Sequence, residues 1–437
     1  MARSDATITE GLVSILARPV HAVERSRAAL HLLDWMGCVL GAAHEAAGMR
    51  LVLLGGHPFA RAGTGDVGLS GGFGSLLEMD DVHRAGLLHP GPVVCAVVAA
   101  LPSSDPLAAL VRGYEAMIRL GAAVGPGHYA FFHNSSTCGG MGAAAAAAEA
   151  LGLGPEESVW AMGHAMSLAG GLWQCRHEAV ATKHLHVAEA ARRGVSAARY
   201  AAAGLAGPRT ILEGVQGFFA AVARDGNPEA VVADPEGPWR IHEVSFKPWP
   251  ACRHAHPAID ATLALRGRVV GEPRAVTVET YGDALKFCDR VEPKTTGEAR
   301  FSLQHAVAVT LRDGPPPMEA FAAEALAGYA DLRGRVTVVR DAVFDTAYPA
   351  HFGARVTVET EAGRWSETVA DAWGDAENPM DAGDVVAKFR ALAAWGGVSD
   401  ASARRLEAAV LALPEGGAMA EVHAAMQAIA AEMERAA

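Results

Sequence analysis

Apolar residues recur at helical spacing through most of the first half of the chain. Between Val20 and Ala43, the residues Val23, Leu30, Leu33, Met36, Val39 and Leu40 fall on one broad stripe, and similar stripes run through Leu107 to Ala123 and Ser158 to Leu172. From Thr7 to about Pro208 no alternating pattern interrupts them, so this region predicts helices alone. The glycine and alanine segment from Gly139 to Leu153 resembles low complexity, yet Ala143 to Leu151 has high helix propensity and side chains small enough for close helix approach. It predicts a buried packing helix.

The period changes after Trp249. Ala275 to Tyr281, Arg335 to Asp341 and Ala354 to Thr360 alternate Val, Thr and Tyr between Gly, Pro and Asp, which predicts three strands of an antiparallel sheet. A helical run beginning near Thr296 passes through Phe301, Leu303, Ala306 and Val307. Helical spacing returns after Asp381 in Val385, Phe389 and Leu392, and again in Val422, Met426 and Ile429, with the polar loop Asp371 to Pro379 before it. The expected fold is mainly α with α+β: a large all-helical domain (1–245 and 381–437) and a smaller α+β domain (246–380) inserted before the C-terminal helices.

Composition narrows the function classes. At 437 residues the chain allows about two or three domains. It is 51% hydrophobic and 20% charged, with a net charge of −12 and no basic run, so it has no electrostatic footprint for nucleic acid. Val93 to Leu101 is about half the ~20 residues a membrane span needs, and Met1 to Glu10 has neither a basic nor an apolar leader region. A cytoplasmic protein without a membrane partner is expected. The six cysteines show no C-x-x-C pair or repeated spacing, which argues against a disulfide framework or a zinc ribbon.

Chemistry concentrates in three places. Gly71 to Pro92 gathers Glu78, Asp80, Asp81, His83 and His89 between a glycine-rich lead-in and a Pro-Gly turn. Carboxylates beside imidazoles tune one another for proton transfer near neutral pH, although a solvated helix end with polar caps has the same composition. Gly127 to Gly142 brings His128, His133 and a hydroxyl-rich loop to the start of the alanine-rich helix, as an anion site or as plain capping. The third place is a pair of His-x-His segments, Lys183-His184-Leu185-His186 and, at the inferred domain boundary, Lys247 to His256. Their spacing is poor for a metal, which usually takes helical histidines at i, i+4 or a nearby carboxylate. Dinucleotide, P-loop and nucleophile-elbow motifs are all missing.

Five segments, in shared order, resemble the MmgE/PrpD family. They are EMDDVHRAGLLHPG (78–91), FHNSSTCGGMGAAAAAAEALGL (132–153), KHLHVAEAARRG (183–194) with GPRTILEGVQGFF (207–219), FKPWPACRHAHPAIDA (246–261), and EARFSLQHAVAV (298–309) followed by ENPMDAGDVVAKFR (377–390). The resemblance implies a dimeric enzyme of two domains, free of metal and organic cofactor, with its active site between the helical domain and an α+β lid. It implies catalytic roles for Asp81, His89, His133, Lys183 and Lys247, and substrate contacts from Glu78, His83, Cys252, His256 and His305. Glu78 stands where many members have Asp, Val82 where Thr is common, and His305 where many have Tyr. Cys252 replaces a residue that faces substrate in other branches.

Members of the family act on small polycarboxylic acids, moving a proton at a carbon next to a carboxylate. Such a carbon is a very weak acid, and its enolate-like intermediate needs preorganised cations and donors, each worth about 3 kcal/mol in a dry site. Lys183 and Lys247 suit that task, His89 and His133 suit acid and base, and Asp81 would orient one imidazole. The expectation is a cofactor-free lyase, foremost a dehydratase of a hydroxylated di- or tricarboxylate. Alternatives are an epimerase or decarboxylase using the same groups, or a carboxylate-binding homologue without catalysis.

Overall fold

The computed structural model describes residues 6–178 and 180–436. The first residues of the Met1 to Glu10 stretch lie outside them. Helices dominate, and the chain divides into two compact units: one of residues 1–76, 80–244 and 381–437, the other of residues 77–79 and 245–380. Among the described residues no helix is long and apolar enough to cross a membrane.

In the first unit, helices Ala22–Ala42, Gly91–Ala100, Pro106–Ala123, Gly139–Ala150 and Thr182–Ala202 pack around one core, and Ala382–Trp395 joins it by lying on Ala22–Ala42. The alanine-rich helix is buried from Gly139 to Ala148. Small residues make that burial work. A Cβ on Gly194 would stand 2.3 Å from the Ala143 Cβ, so Thr182–Ala202 and Gly139–Ala150 touch backbone to backbone. Ala382–Trp395 starts at a capping box in which Asp381 and Asp384 satisfy each other's backbone N–H. Val23, expected on the apolar stripe of its helix, is 62% exposed, because only the later turns face the core.

The second unit carries a four-stranded sheet of β1 (Ala275–Thr280), β2 (Val336–Arg340), β3 (Ala354–Thr360) and β4 (Gly363–Val369), in the order β2-β1-β3-β4. Val276 and Val278 of β1 pair with Val358 and Val356 of β3, giving a buried apolar face against His256–Arg266 and Leu303–Asp313. The sheet differs from the expected antiparallel one in two respects. β1 and β2 run parallel, the chain crossing between them through helices. β4 (GRWSETV) is an edge strand, and its half-exposed polar sequence gives no Val/Ile alternation to read. The helical run from Thr296 is broken at Phe301, and Ser302 caps a new helix by accepting from the His305 N–H.

Candidate functional site

A tight turn organises the acidic segment. His83 and Leu88 exchange both backbone hydrogen bonds, at 2.8 and 3.3 Å, and Leu87 takes the left-handed conformation (φ 50) that folds the chain back. Both ring nitrogens of His83 serve this turn: Nδ1 accepts from the Gly86 N–H at 2.9 Å and Nε2 donates to Glu243 at 2.8 Å. Expected to bind substrate, His83 instead has both nitrogens committed within the protein.

The turn returns His89 to the carboxylates it follows. His89 Nδ1 lies 2.8 Å from Asp80 Oδ2 and 2.9 Å from the Asp81 carbonyl oxygen. Both partners are acceptors, so Nδ1 carries a proton. The Asp81 carboxylate faces elsewhere: Oδ1 accepts from the Gly91 N–H at 2.7 Å, and Oδ2 accepts from Tyr114 Oη and His31 Nδ1, each at 2.7 Å. The imidazole that Asp81 orients is therefore His31's. Burial pushes Asp81 up to about 6, against the bonds from Tyr114 and Gly91 that pull it down.

His133 sits on the neighbouring loop. Its N–H donates to the Gly171 carbonyl at 2.9 Å and its residue caps the single turn Asn134–Thr137. Two side chains from this turn hold the acidic segment: Asn134 Nδ2 donates to the Gly86 carbonyl at 2.9 Å, and Ser135 Oγ accepts from the His89 N–H at 3.0 Å. The ring of His133 packs against Trp173 with centroids 4.4 Å apart and lies 5.6 Å from His186. Burial, then the charges of Lys183, His186, His89 and His184, holds its pKa well below the usual histidine range, so His133 is neutral near pH 7.

Lys183 stands in the first turn of Thr182–Ala202, partly exposed and close enough to act on His133. On the same turn His184 Nδ1 donates to Ser75 Oγ at 2.9 Å, since that hydroxyl gives its own proton to the Gly72 carbonyl. The first unit thus brings Asp81, His89, His133 and Lys183 into one neighbourhood. The His-x-His partners are spent separately: His186 near His133, and His254 bonded to Tyr281 Oη at 2.6 Å between the rings of Phe287 and Phe352.

In the second unit, Lys247 is fully buried. Its Nζ donates to the Glu78 carbonyl at 3.2 Å and lies 3.8 Å from the Glu78 carboxylate, and Glu78 holds a left-handed backbone (φ 55) to present both. Cys252 shares this environment; a hydrogen bond from Cys288, with help from Lys247, lowers its thiol against burial and the Glu78 charge. His256 and His305, expected to face substrate, serve the unit's interior. His256 Nε2 donates to the Ala251 carbonyl at 3.0 Å while Nδ1 accepts from Arg253 at 3.1 Å. His305 Nε2 donates to the Ala320 carbonyl at 2.9 Å between Phe321 and Tyr329, and burial pushes it down to about 4.

Sequence reasoning passed over His31, Tyr114, Asp34 and Lys388, all buried in the first unit. The readable signal was a His and an Asp one turn apart inside an apolar helical stripe, where an unpaired polar group is costly. One further group with metal-ligand atoms occurs among the described residues, His351, Asp371 and Glu377 of the second unit, with those atoms within 4.8 Å of one another. Its members are at least partly exposed, and His351 already bonds Asp371 at 2.8 Å.

Comparison with known proteins adds two findings. The MmgE/PrpD N-terminal domain matches residues 69–230 and the MmgE/PrpD C-terminal domain matches residues 249–414. Human cis-aconitate decarboxylase is 32% identical over 266 residues, covering 54% of this chain and 53% of that protein, and the mouse enzyme of the same name is 28% identical over 267 residues, covering 56% and 54%. The chain thus spans about half the length of these two relatives. The cis-aconitate decarboxylase-like protein oryM of Aspergillus oryzae is 26% identical over 390 residues, covering 81% of this chain and 80% of that protein.

Proposed function

The chain belongs to the MmgE/PrpD family, and on that premise we propose that it is a lyase acting on a small polycarboxylic acid by proton transfer at a carbon next to a carboxylate. The observation that carries the reading is His133: a buried imidazole held neutral, with a lysine and a second histidine as neighbours. A neutral imidazole accepts a proton. Where water leaves, His133 takes the proton from carbon; where carbon dioxide leaves, the electron pair of the breaking carbon–carbon bond stays on carbon instead. In both cases Lys183 stabilises the negative charge that spreads onto the remaining substrate carboxylate. His89 returns a proton on the other side of the reaction, and Asp81 keeps the His89-Pro90-Gly91 turn in place through the Gly91 N–H. Lys247, with Glu78 and Cys252, enters as a second carboxylate-binding group on the family resemblance.

As to the leaving group, the names of three relatives favour carbon dioxide over the water that the sequence first suggested. Decarboxylase is therefore the finer reading and dehydratase the second. An incubation with saturated, hydroxylated and unsaturated di- and tricarboxylates in deuterated water tests both. Release of carbon dioxide supports the first, and an alkene formed without it supports the second. Deuterium uptake without either points to an epimerase. Thermal stabilisation by a polycarboxylate with no turnover would sink the enzymatic reading in favour of a binding protein. A two-fold homodimer is part of the same proposal, and sedimentation as a 45.3 kDa species at micromolar concentration would count against it.

A further inference from the structure

Two adjacent carboxylates lie within reach of the acid/base residues, and the structure gives them different work. Asp81 is occupied on both oxygens by Gly91, Tyr114 and His31. Asp80, itself buried, turns its Oδ2 to His89 Nδ1 at 2.8 Å, where the Asp81 carbonyl oxygen also accepts at 2.9 Å. We infer that Asp80 is the positioning residue of the site: it fixes the ring of His89 as the Nδ1–H form and so assigns proton exchange with substrate to Nε2.

The geometry supports the assignment at each step. With only acceptors on Nδ1, a flip of the ring would leave the Asp80 carboxylate and the Asp81 carbonyl facing carbon atoms and cost two hydrogen bonds, one of them charge-assisted. The His89 side chain keeps about 16% of its surface exposed while that of Asp80 keeps 4%, so the ring alone retains access to solvent. Its backbone is held as well, by the bond from its N–H to Ser135 Oγ. His133 is neutral and serves as base, which leaves His89 as the donor. To donate, the ring first takes a proton from solvent at its bare Nε2. When it acts, that Nε2–H bond breaks, the electron pair stays on the ring, the proton passes to substrate, and the neutral Nδ1–H form remains bonded to Asp80.

The inference rests on the lyase reading for its catalytic meaning, and the test separates the two. The His89 ring is followed by long-range proton–nitrogen NMR on histidine-labelled protein, assigned with His89→Gln, in wild type, Asp80→Asn, Asp80→Glu and Asp81→Asn. The wild type should show a protonated Nδ1 in a strong hydrogen bond. Asp80→Asn should shift that signal or lose it, and Asp81→Asn should leave it while lowering thermal stability. In turnover of the polycarboxylate panel, Asp80→Asn should lower kcat by about 10²-fold with KM changed less than about threefold, and Asp80→Glu should restore part of it. A folded Asp80→Asn with the wild-type Nδ1 signal and kcat within twofold of wild type would overturn the inference. If Asp80→Asn fails to fold, the Asp80→Glu spectrum and kcat decide in the same way. No turnover by the wild type, with the Nδ1 signal still answering to Asp80, would remove the lyase reading and leave the positioning intact.

Discussion

Lys388 Nζ stands 2.6 Å from Asp34 Oδ1, both side chains buried, and this ion pair joins helix Ala382–Trp395 to helix Ala22–Ala42. Burial pushes Asp34 up to about 6 even though Lys388 pulls it down; at Lys388 burial opposes the charge, and the attraction of Asp34 outweighs it. Removing one partner strands the other. Lys388→Met should cost about 3 to 5 kcal/mol of stability at pH 7 and less at pH 5, where Asp34 takes up a proton. Urea unfolding at the two pH values measures this, and Asp34→Asn with Lys388→Met should recover most of the loss.

Asp81 sets a second pH dependence. Its folded pKa of about 6 lies above the 3.8 of the unfolded chain, so the folded state binds the extra proton. The resulting stability is fully present below pH 3.8 and is lost as pH rises through about 6, amounting to about 3 kcal/mol at roughly 1.4 kcal/mol per pH unit. Subtracting the stability curve of Asp81→Asn from that of the wild type should show a fall of this size across the window. A flat difference would mean that the carboxylate titrates elsewhere.

The lysines should separate by stability as well as by rate. Lys183 is partly exposed, and Lys183→Ala should leave the melting temperature unchanged while lowering kcat and kcat/KM together by roughly 10² to 10³. Lys247 is fully buried beside Glu78. Lys247→Ala removes the cation from that carboxylate and should destabilise by about 3 kcal/mol in addition to impairing turnover. Calorimetry beside kinetics distinguishes the two patterns.

Close helix packing predicts an effect far from the chemistry. An added methyl at Gly194 would meet the Ala143 Cβ at 2.3 Å and neighbouring backbone at 2.6 Å. Gly194→Ala should therefore cost about 2 kcal/mol despite its better helix propensity, and a neutral or stabilising result in urea unfolding would show that the helices can part.

Chelation bears on the cofactor expectation. His89 is engaged by the Asp80 carboxylate, His83 by Glu243 and His184 by the Ser75 hydroxyl, so exhaustive EDTA treatment should leave activity intact. Loss of activity restored by one divalent ion would replace the proton-transfer scheme with a metal-assisted one.

Local pattern alone determined the mainly helical fold with an α+β part. Amphipathic period and alanine propensity act within a few turns of chain, so the stripe through Leu30 to Leu40, the buried Gly139–Ala150 helix and strands β1 to β3 could be read directly. The motifs likewise identified the family, since order along the chain survives without coordinates. Tertiary structure decided the rest. β1 and β2 are parallel because of how the helical crossover returns, and β4 exists because β3 offers it an edge. Asp80 and Asp81 are chemically identical neighbours; a left-handed turn at Leu87 brings His89 back to the first, while Tyr114 and His31, supplied by two other helices, claim the second. Spacing sets which residue types are present, but the partner of a buried carboxylate depends on which donors long-range packing carries to within hydrogen-bond distance.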